Sequence, residues 1–258
     1  MIKAVFFDID GTLVSFKTHK LPDSTVRALD LLREKGIKVF IATGRQLQSI
    51  NNLGTQEFDG YVTLNGGYCL AGKDKVIYKH NIPSGDIEAL IRYQENEEAF
   101  PCALVEEDGI YQNYVDDSVR QLYDMLDFPH PPLRPLRGNG GKEVYQLIAF
   151  FSPGHEERIM SVLPHCEATR WNPLFAHVVP RGSSKAVGID KIIEYYGISL
   201  HETMAFGDGG NDMAMLRHAG IGVAMGNAGD EVKEAADYVT DSVDDDGVMN
   251  ALRHFDVI

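Results

Sequence analysis

The stretch Ala4-Val5-Phe6-Phe7-Asp8-Ile9-Asp10-Gly11-Thr12 decides how this 258-residue chain folds. Four consecutive apolar residues without polar alternation read as a strand, residues 3–7, buried on both faces, which is the pattern of a parallel sheet covered by helices. That strand ends in two carboxylates. Open parallel sheets bind ligands beyond the carboxyl ends of their strands, so Asp8 and Asp10 stand where such a fold places its chemistry. A turn cap accounts for one carboxylate there; it accounts poorly for two followed by Gly11-Thr12.

Working outward, Val26, Leu29 and Leu32 mark a helix over 23–35, closed by Gly36 where a left-handed cap belongs, and a strand follows over 37–42. Further short strands are expected at 61–64, 68–71 and 76–79. The tail again alternates helices with apolar strands, with helix 185–196, strand 203–206, helix 211–219, strand 221–224, helix 228–235 and strand 238–239. Between them the pattern changes to helix 85–96, a hairpin of 103–106 with 110–114, helix 118–126, a proline-rich loop at 130–135, a glycine-rich turn at 138–141, strand 144–151, helix 155–163, and strands 167–171 and 175–179. Trp171 reads as core of this middle part. These patterns predict an α/β, Rossmann-like parallel-sheet core built from 1–82 and 181–258, interrupted by an inserted α+β domain over 83–180.

Composition narrows the function. A net charge of −14, from 24 basic and 38 acidic residues, opposes binding to nucleic acid or an anionic membrane. The three cysteines, Cys69, Cys102 and Cys166, lie far apart with no CxxC pair, which suggests neither a disulfide framework nor zinc. Asp8 and Asp10 break the first apolar run before it resembles a signal peptide, and no run approaches the roughly 18 residues of a membrane span. A cytoplasmic monomer or small homo-oligomer is expected.

Four places then combine: Asp8-x-Asp10-Gly11-Thr12; Thr43-Gly44-Arg45 after the second strand; Lys185 opening a helix after Ser183-Ser184; and Gly207-Asp208-Gly209-Gly210-Asn211-Asp212 after another apolar strand. Singly each has a bland reading, as a helix-start turn, a solvated lysine or an acid favoured by the helix dipole. All four at strand ends or helix starts of one α/β framework compose a phosphoryl-transfer centre. Carboxylates from two strand ends suit a hard divalent cation such as Mg²⁺. Lys185 and the Thr43 hydroxyl offset charge on a transferring phosphoryl group, and a carboxylate so screened serves as nucleophile. An EF-hand is excluded because positions six and twelve counted from Asp8 are Leu13 and His19.

On FDIDGTL, ATGR, LNGG at 64–67, SSK at 183–185, GDGGNDMAML at 207–216, AMGNAGDEVKEAADYVT at 224–240 and DDDGV at 244–248, the chain resembles haloacid dehalogenase superfamily phosphatases of the Cof-type subgroup, which carry a C2-type cap. The resemblance implies Asp8 as nucleophile and metal ligand, and Asp10 as general acid/base whose carbonyl also touches the metal. It implies Thr43 and Gly44 as phosphoryl ligands, Lys185 orienting Asp8 and phosphate, Asp208 as metal ligand, and Asn211 and Asp212 completing the phosphate and metal-water shell. P-type ATPases, which resemble this family, carry Thr where Asp10 stands, so Asp10 favours hydrolysis of the phospho-enzyme. The resemblance loosens at Ala176-His177-Val178-Val179-Pro180-Arg181, where relatives often carry an acid before the proline.

The expected activity is hydrolysis of a small phosphorylated metabolite, a sugar phosphate above others, with the cap choosing the leaving group. Arg45 and His177 are candidate substrate contacts, and Arg134, Arg137 and Lys142 a candidate specificity loop. The rivals are a phosphomutase or phosphotransferase using the same phospho-enzyme, and a sugar-phosphate sensor without turnover. A nucleic-acid 3′-phosphatase is disfavoured by charge and cap.

Overall fold

The apolar run Ala4–Phe7 forms strand β1 with all four residues buried, as its unbroken pattern requires. A computed structural model describes residues 1–126, 129–170 and 172–258 of the chain; Trp171 lies outside them. Two units divide it, Met1–Lys79 with Ser183–Ile258, and His80–Gly182. In chain order the first unit continues with α1 (Asp23–Glu34), β2 (Lys38–Ala42), β3 (Gly60–Thr63), β4 (Tyr68–Ala71) and β5 (Lys75–Lys79). The second unit holds α2 (Ser84–Asn96), β6 (Cys102–Glu106), β7 (Ile110–Gln112), α3 (Asp117–Leu126), β8 (Val144–Ala149), α4 (Glu156–Val162), β9 (Cys166–Thr169) and β10 (Ala176–Pro180). The first unit resumes with α5 (Lys185–Tyr196), β11 (Thr203–Gly207), α6 (Met213–His218), β12 (Ile221–Ala224), α7 (Asp230–Glu234), β13 (Tyr238–Val239) and α8 (Gly247–His254).

Among the described residues the first unit has one eight-stranded sheet, ordered β13-β12-β11-β1-β2-β3-β4-β5. It is parallel from β13 to β3 and antiparallel across β4 and β5. Strand β1 is central, with Phe7 in register with Ile41 on β2 and Phe206 on β11. Stacked rings lock that register: Phe6 on Phe40 at 4.8 Å and Phe7 on Phe206 at 4.9 Å. Gly36 ends α1 in the left-handed region at φ 72° as its position predicts. Ser184 caps α5, its Oγ accepting from Val187 N at 3.3 Å.

Two elements differ from the sequence expectation. The helix expected over 211–219 begins as a 3₁₀ turn, Gly210–Asp212, before α6, because the Asp212 carboxylate folds back to accept from Asp208 N and Gly209 N. Helix α8, not expected, buries Val248, Ala251 and Leu252 and packs beside α1. No helix among the described residues is long and apolar enough to cross a membrane.

Among the described residues the second unit holds a five-stranded antiparallel sheet, β7-β6-β8-β10-β9. Ile87 and Leu90 of α2 and Ile159 of α4 bury against Cys102, Leu104, Leu147 and Val178. The candidate specificity loop is tied down within this unit. Arg134 forks onto the buried Glu106 and lies over the Tyr111 ring, 3.7 Å from its centroid. Arg137 pairs with Glu95, and Lys142 with Asp108 at 2.6 Å. Asn139 adds an amide to Glu106 at 2.7 Å. These cations hold a turn in place.

Replacing Arg134 with Ala leaves the Glu106 carboxylate buried without its guanidinium, and such a loss costs about 3 kcal/mol. The expected result is a lowered urea midpoint; an unchanged midpoint would show that Asn139 and Lys142, whose ammonium also lies 3.7 Å from Glu106, suffice.

Candidate active site

The site is built at the carboxyl ends of β1, β2 and β11. Asp8 leaves β1 with its N–H donating to Phe206 O at 3.0 Å, which aims its carboxylate out of the sheet. Lys185, the first residue of α5, is fully buried, and its ammonium donates at 2.5 Å both to Asp8 Oδ1 and to Asp212 Oδ1. Burial alone lowers an amine, but the Asp212 and Asp8 charges outweigh it and hold Lys185 above the ordinary lysine range.

Asp208 follows β11. Its Oδ1 accepts from Thr12 Oγ1 at 2.7 Å, and exposed Asn227 donates to Gly11 O at 2.9 Å. Gly11 sits at φ +87°, and a Cβ there would stand 2.1 Å from Asp208 Oδ2, so only glycine admits this approach. Ser15 and Lys17, just beyond, donate to Asp244 at 2.6 and 2.8 Å and fix the loop that leaves the site.

Asp8, Asp208 and Asp212 each bring one carboxylate oxygen within 4.8 Å of the others. Burial pushes the Asp8 carboxyl up to about 7; Lys185 opposes the shift, while Asp212 and Asp10 add to it. Burial, then the charges of Asp8 and Asp212, push Asp208 up to about 8. Three clustered carboxylates, two of them on one ammonium, form an all-oxygen donor set that fits a hard divalent cation.

Asp10 is held apart from that set. Arg45 forks onto it, Nε to Oδ2 at 2.7 Å and Nη2 to Oδ1 at 2.5 Å, and Arg45 Nη1 is anchored on Ser49 O at 3.1 Å. Thr43 N donates to Val62 O at 2.8 Å, and Thr43 Oγ1 accepts from Arg45 N at 3.1 Å. Asn211 Nδ2 donates to Asn65 Oδ1 at 3.0 Å, and a Cβ on Gly44 would lie 3.2 Å from the Asn65 amide.

Asp8, Lys185, Asp208 and Asp212 thus form one linked cluster, with Asp10 and Arg45 paired beside the same strand end. Sequence reasoning placed Asp212 in an outer shell; here it is one of the three clustered carboxylates. Sequence reasoning gave no role to Thr12, Asn65 or Asn227. Thr12 and Asn65 lie in the FDIDGTL and LNGG motifs, which was the available signal. His177 belongs to the second unit, on β10, with its ring 5.1 Å from that of Phe175; burial lowers its imidazole to about 4.

Comparison with known proteins adds three likenesses and a family. The profile of the haloacid dehalogenase-like hydrolases matches residues 5–252. The "Putative phosphatase YkrA" of Bacillus subtilis (strain 168) is 36% identical over 261 residues, covering 99% of this chain and 98% of that one. The solved structure of the HAD subclass IIB sugar phosphatase BT4131 is 47% identical, with a TM-score of 0.92, over 99% of this chain and 100% of that chain. That of BT1666 from Bacteroides thetaiotaomicron, described among phosphatases of the haloalkanoate superfamily, is 41% identical with a TM-score of 0.93, over 100% and 96%.

The crowded carboxylates set a pH dependence of stability. Asp8 and Asp208 keep protons to about 7 and 8 in the fold, against an ordinary 3.8. The folded state therefore binds more protons through that window, and stability falls as pH rises from about 4 to about 8. Magnesium is expected to raise the melting temperature more at pH 8 than at pH 5, with EDTA reversing the gain. Equal shifts at both pH values would contradict a cation held by these carboxylates.

Proposed function

The chain belongs to the haloacid dehalogenase-like hydrolases and is a phosphatase of that type, and from this premise we propose a Mg²⁺-dependent phosphomonoesterase that acts on small sugar phosphates through an aspartyl-phosphate on Asp8. The observation that carries the reading is the buried chain Asp8–Lys185–Asp212, with Asp208 within the same cluster. Sugar phosphates are favoured by the likeness to a subclass IIB sugar phosphatase at 47% identity.

In this reading the carboxylates of Asp8 and Asp208 and the backbone carbonyl of Asp10 would hold Mg²⁺, with Asp212, whose oxygens accept from Lys185, Asp208 N and Gly209 N, in the shell around it. The ion would supply charge neutralisation for the phosphoryl oxygens. Asp8 attacks phosphorus as the bond to the leaving oxygen breaks, and Lys185 keeps its oxygen aimed along that line. Asp10 gives a proton to the departing alcohol. It then takes one from the water that attacks the phosphoryl-aspartate, which releases inorganic phosphate and restores Asp8. Thr43 Oγ1 already accepts from Arg45 N, so its own hydrogen serves a phosphoryl oxygen, beside Gly44 and Asn211. Arg45 fixes Asp10 by both oxygens and so orients the proton carrier. Residues 1–82 and 181–258 carry catalysis here, and 83–180 choose the leaving group.

Phosphate release from a panel of sugar, polyol, nucleotide and pyridoxal phosphates, with Mg²⁺ and with EDTA, tests the reading. Asp8→Asn is expected to abolish turnover in a folded protein, and Asp10→Ala to slow it by about 100-fold or more. Near-normal rates in Asp8→Asn would remove the nucleophile. Isomerised sugar phosphate without free phosphate would point to a mutase.

A further inference from the structure

The turn between β3 and β4 is unusual for a hairpin connection. Leu64, Asn65 and Gly66 all lie in the left-handed region, at φ 53°, 53° and 91°. Asparagine and glycine enter that region readily, whereas leucine does so only where surrounding contacts impose it. Those contacts come from catalytic loops. Leu64 N donates to Arg45 O at 3.2 Å and Asn65 N to Thr43 O at 3.1 Å. Asn65 is buried, and its carboxamide accepts from Asn211 Nδ2 at 3.0 Å and lies against Gly44. On the other side, a Cβ on Gly66 would stand 2.0 Å from Ser184 O, so this glycine lets the turn press on the residue that caps α5 and precedes Lys185.

We propose that Asn65 is a positioning residue for phosphoryl transfer: its carboxamide sets Asn211 and the Thr43-Gly44 loop in register with each other, from a turn that also abuts the start of the Lys185 helix. Asn65 acts through Asn211. An asparagine amide left to rotate presents its donor to phosphate in only a fraction of its orientations, and one pinned at Nδ2 by Asn65 Oδ1 has its remaining N–H direction set. Left-handed backbone delivers that oxygen from β3, so the strain at Leu64 serves the geometry of the site.

This assignment rests on the phosphatase reading, and p-nitrophenyl phosphate hydrolysis separates the two. Asn65→Gly removes the carboxamide while keeping easy access to left-handed backbone. In that variant kcat is expected to fall by about 100-fold, with KM changed little and the melting temperature within a few degrees of wild type. The double variant Asn65→Gly/Asn211→Ala is expected to be no slower than the slower single one, since the two act as a unit. Should Asn65→Gly fail to fold, Asn65→Asp decides. It keeps an oxygen for Asn211, and should show kcat above that of Asn211→Ala with KM raised by its charge. Multiplying effects in the double variant, near-normal kcat in Asn65→Gly, or an Asp variant as slow as Asn211→Ala would overturn the role of Asn65. Wild type that releases no phosphate would instead overturn the phosphatase reading beneath it.

Discussion

The structure depends on one ammonium group shared by two carboxylates at the carboxyl end of a parallel sheet. Lys185 Nζ lies 2.5 Å from Asp8 and from Asp212, with the lysine fully buried. Charges removed from water are tolerable only when paired and hydrogen-bonded, so none of the three side chains is dispensable to the others. Each comes from a different element: β1, the start of α5 and the turn after β11. The stacked phenylalanines that register β1 against β2 and β11, and the Ser184 cap of α5, are what bring those elements to one point.

Two aspartates two residues apart acquire unlike environments. Asp8 is buried against an ammonium and two acids, and its proton is held to about 7. Asp10 turns the other way onto the fork of Arg45. The pleat of an extended segment, with successive residues pointing oppositely and alternate ones alike, does not by itself explain this. The chain bends at Ile9, between the two, so Asp8 joins the cluster while Asp10 is taken up by Arg45. A pair of like groups is thereby divided into two tasks by surroundings alone.

Much of this was legible beforehand because it is local. Unbroken apolar runs at residues 4–7, 39–42 and 204–206 lead into polar residues, and a parallel sheet places those ends together. What stayed hidden depends on contacts across the chain. Thr12 meets Asp208 across 196 positions, Asn65 meets Asn211 across 146, and Asn227 meets Gly11 across 216; no window of sequence carries such pairings. The basic loop around Arg134 is a related case: the carboxylates that pair with it, Glu106, Glu95 and Asp108, lie on distant segments of the same unit. Helix α8 was missed because its apolar stripe is short and follows an acidic run.

The loop after Thr12 is fastened through Ser15 to Asp244, 229 positions later. A ribosome making this protein therefore exposes Asp8 long before it can complete the surroundings of that carboxylate. Asp8 must wait for Lys185, then for Asp208 and Asp212, and finally for the anchor of its own loop. Synthesis from the amino end thus leaves the surroundings of Asp8 incomplete until β13 and, beyond it, Asp244 have emerged.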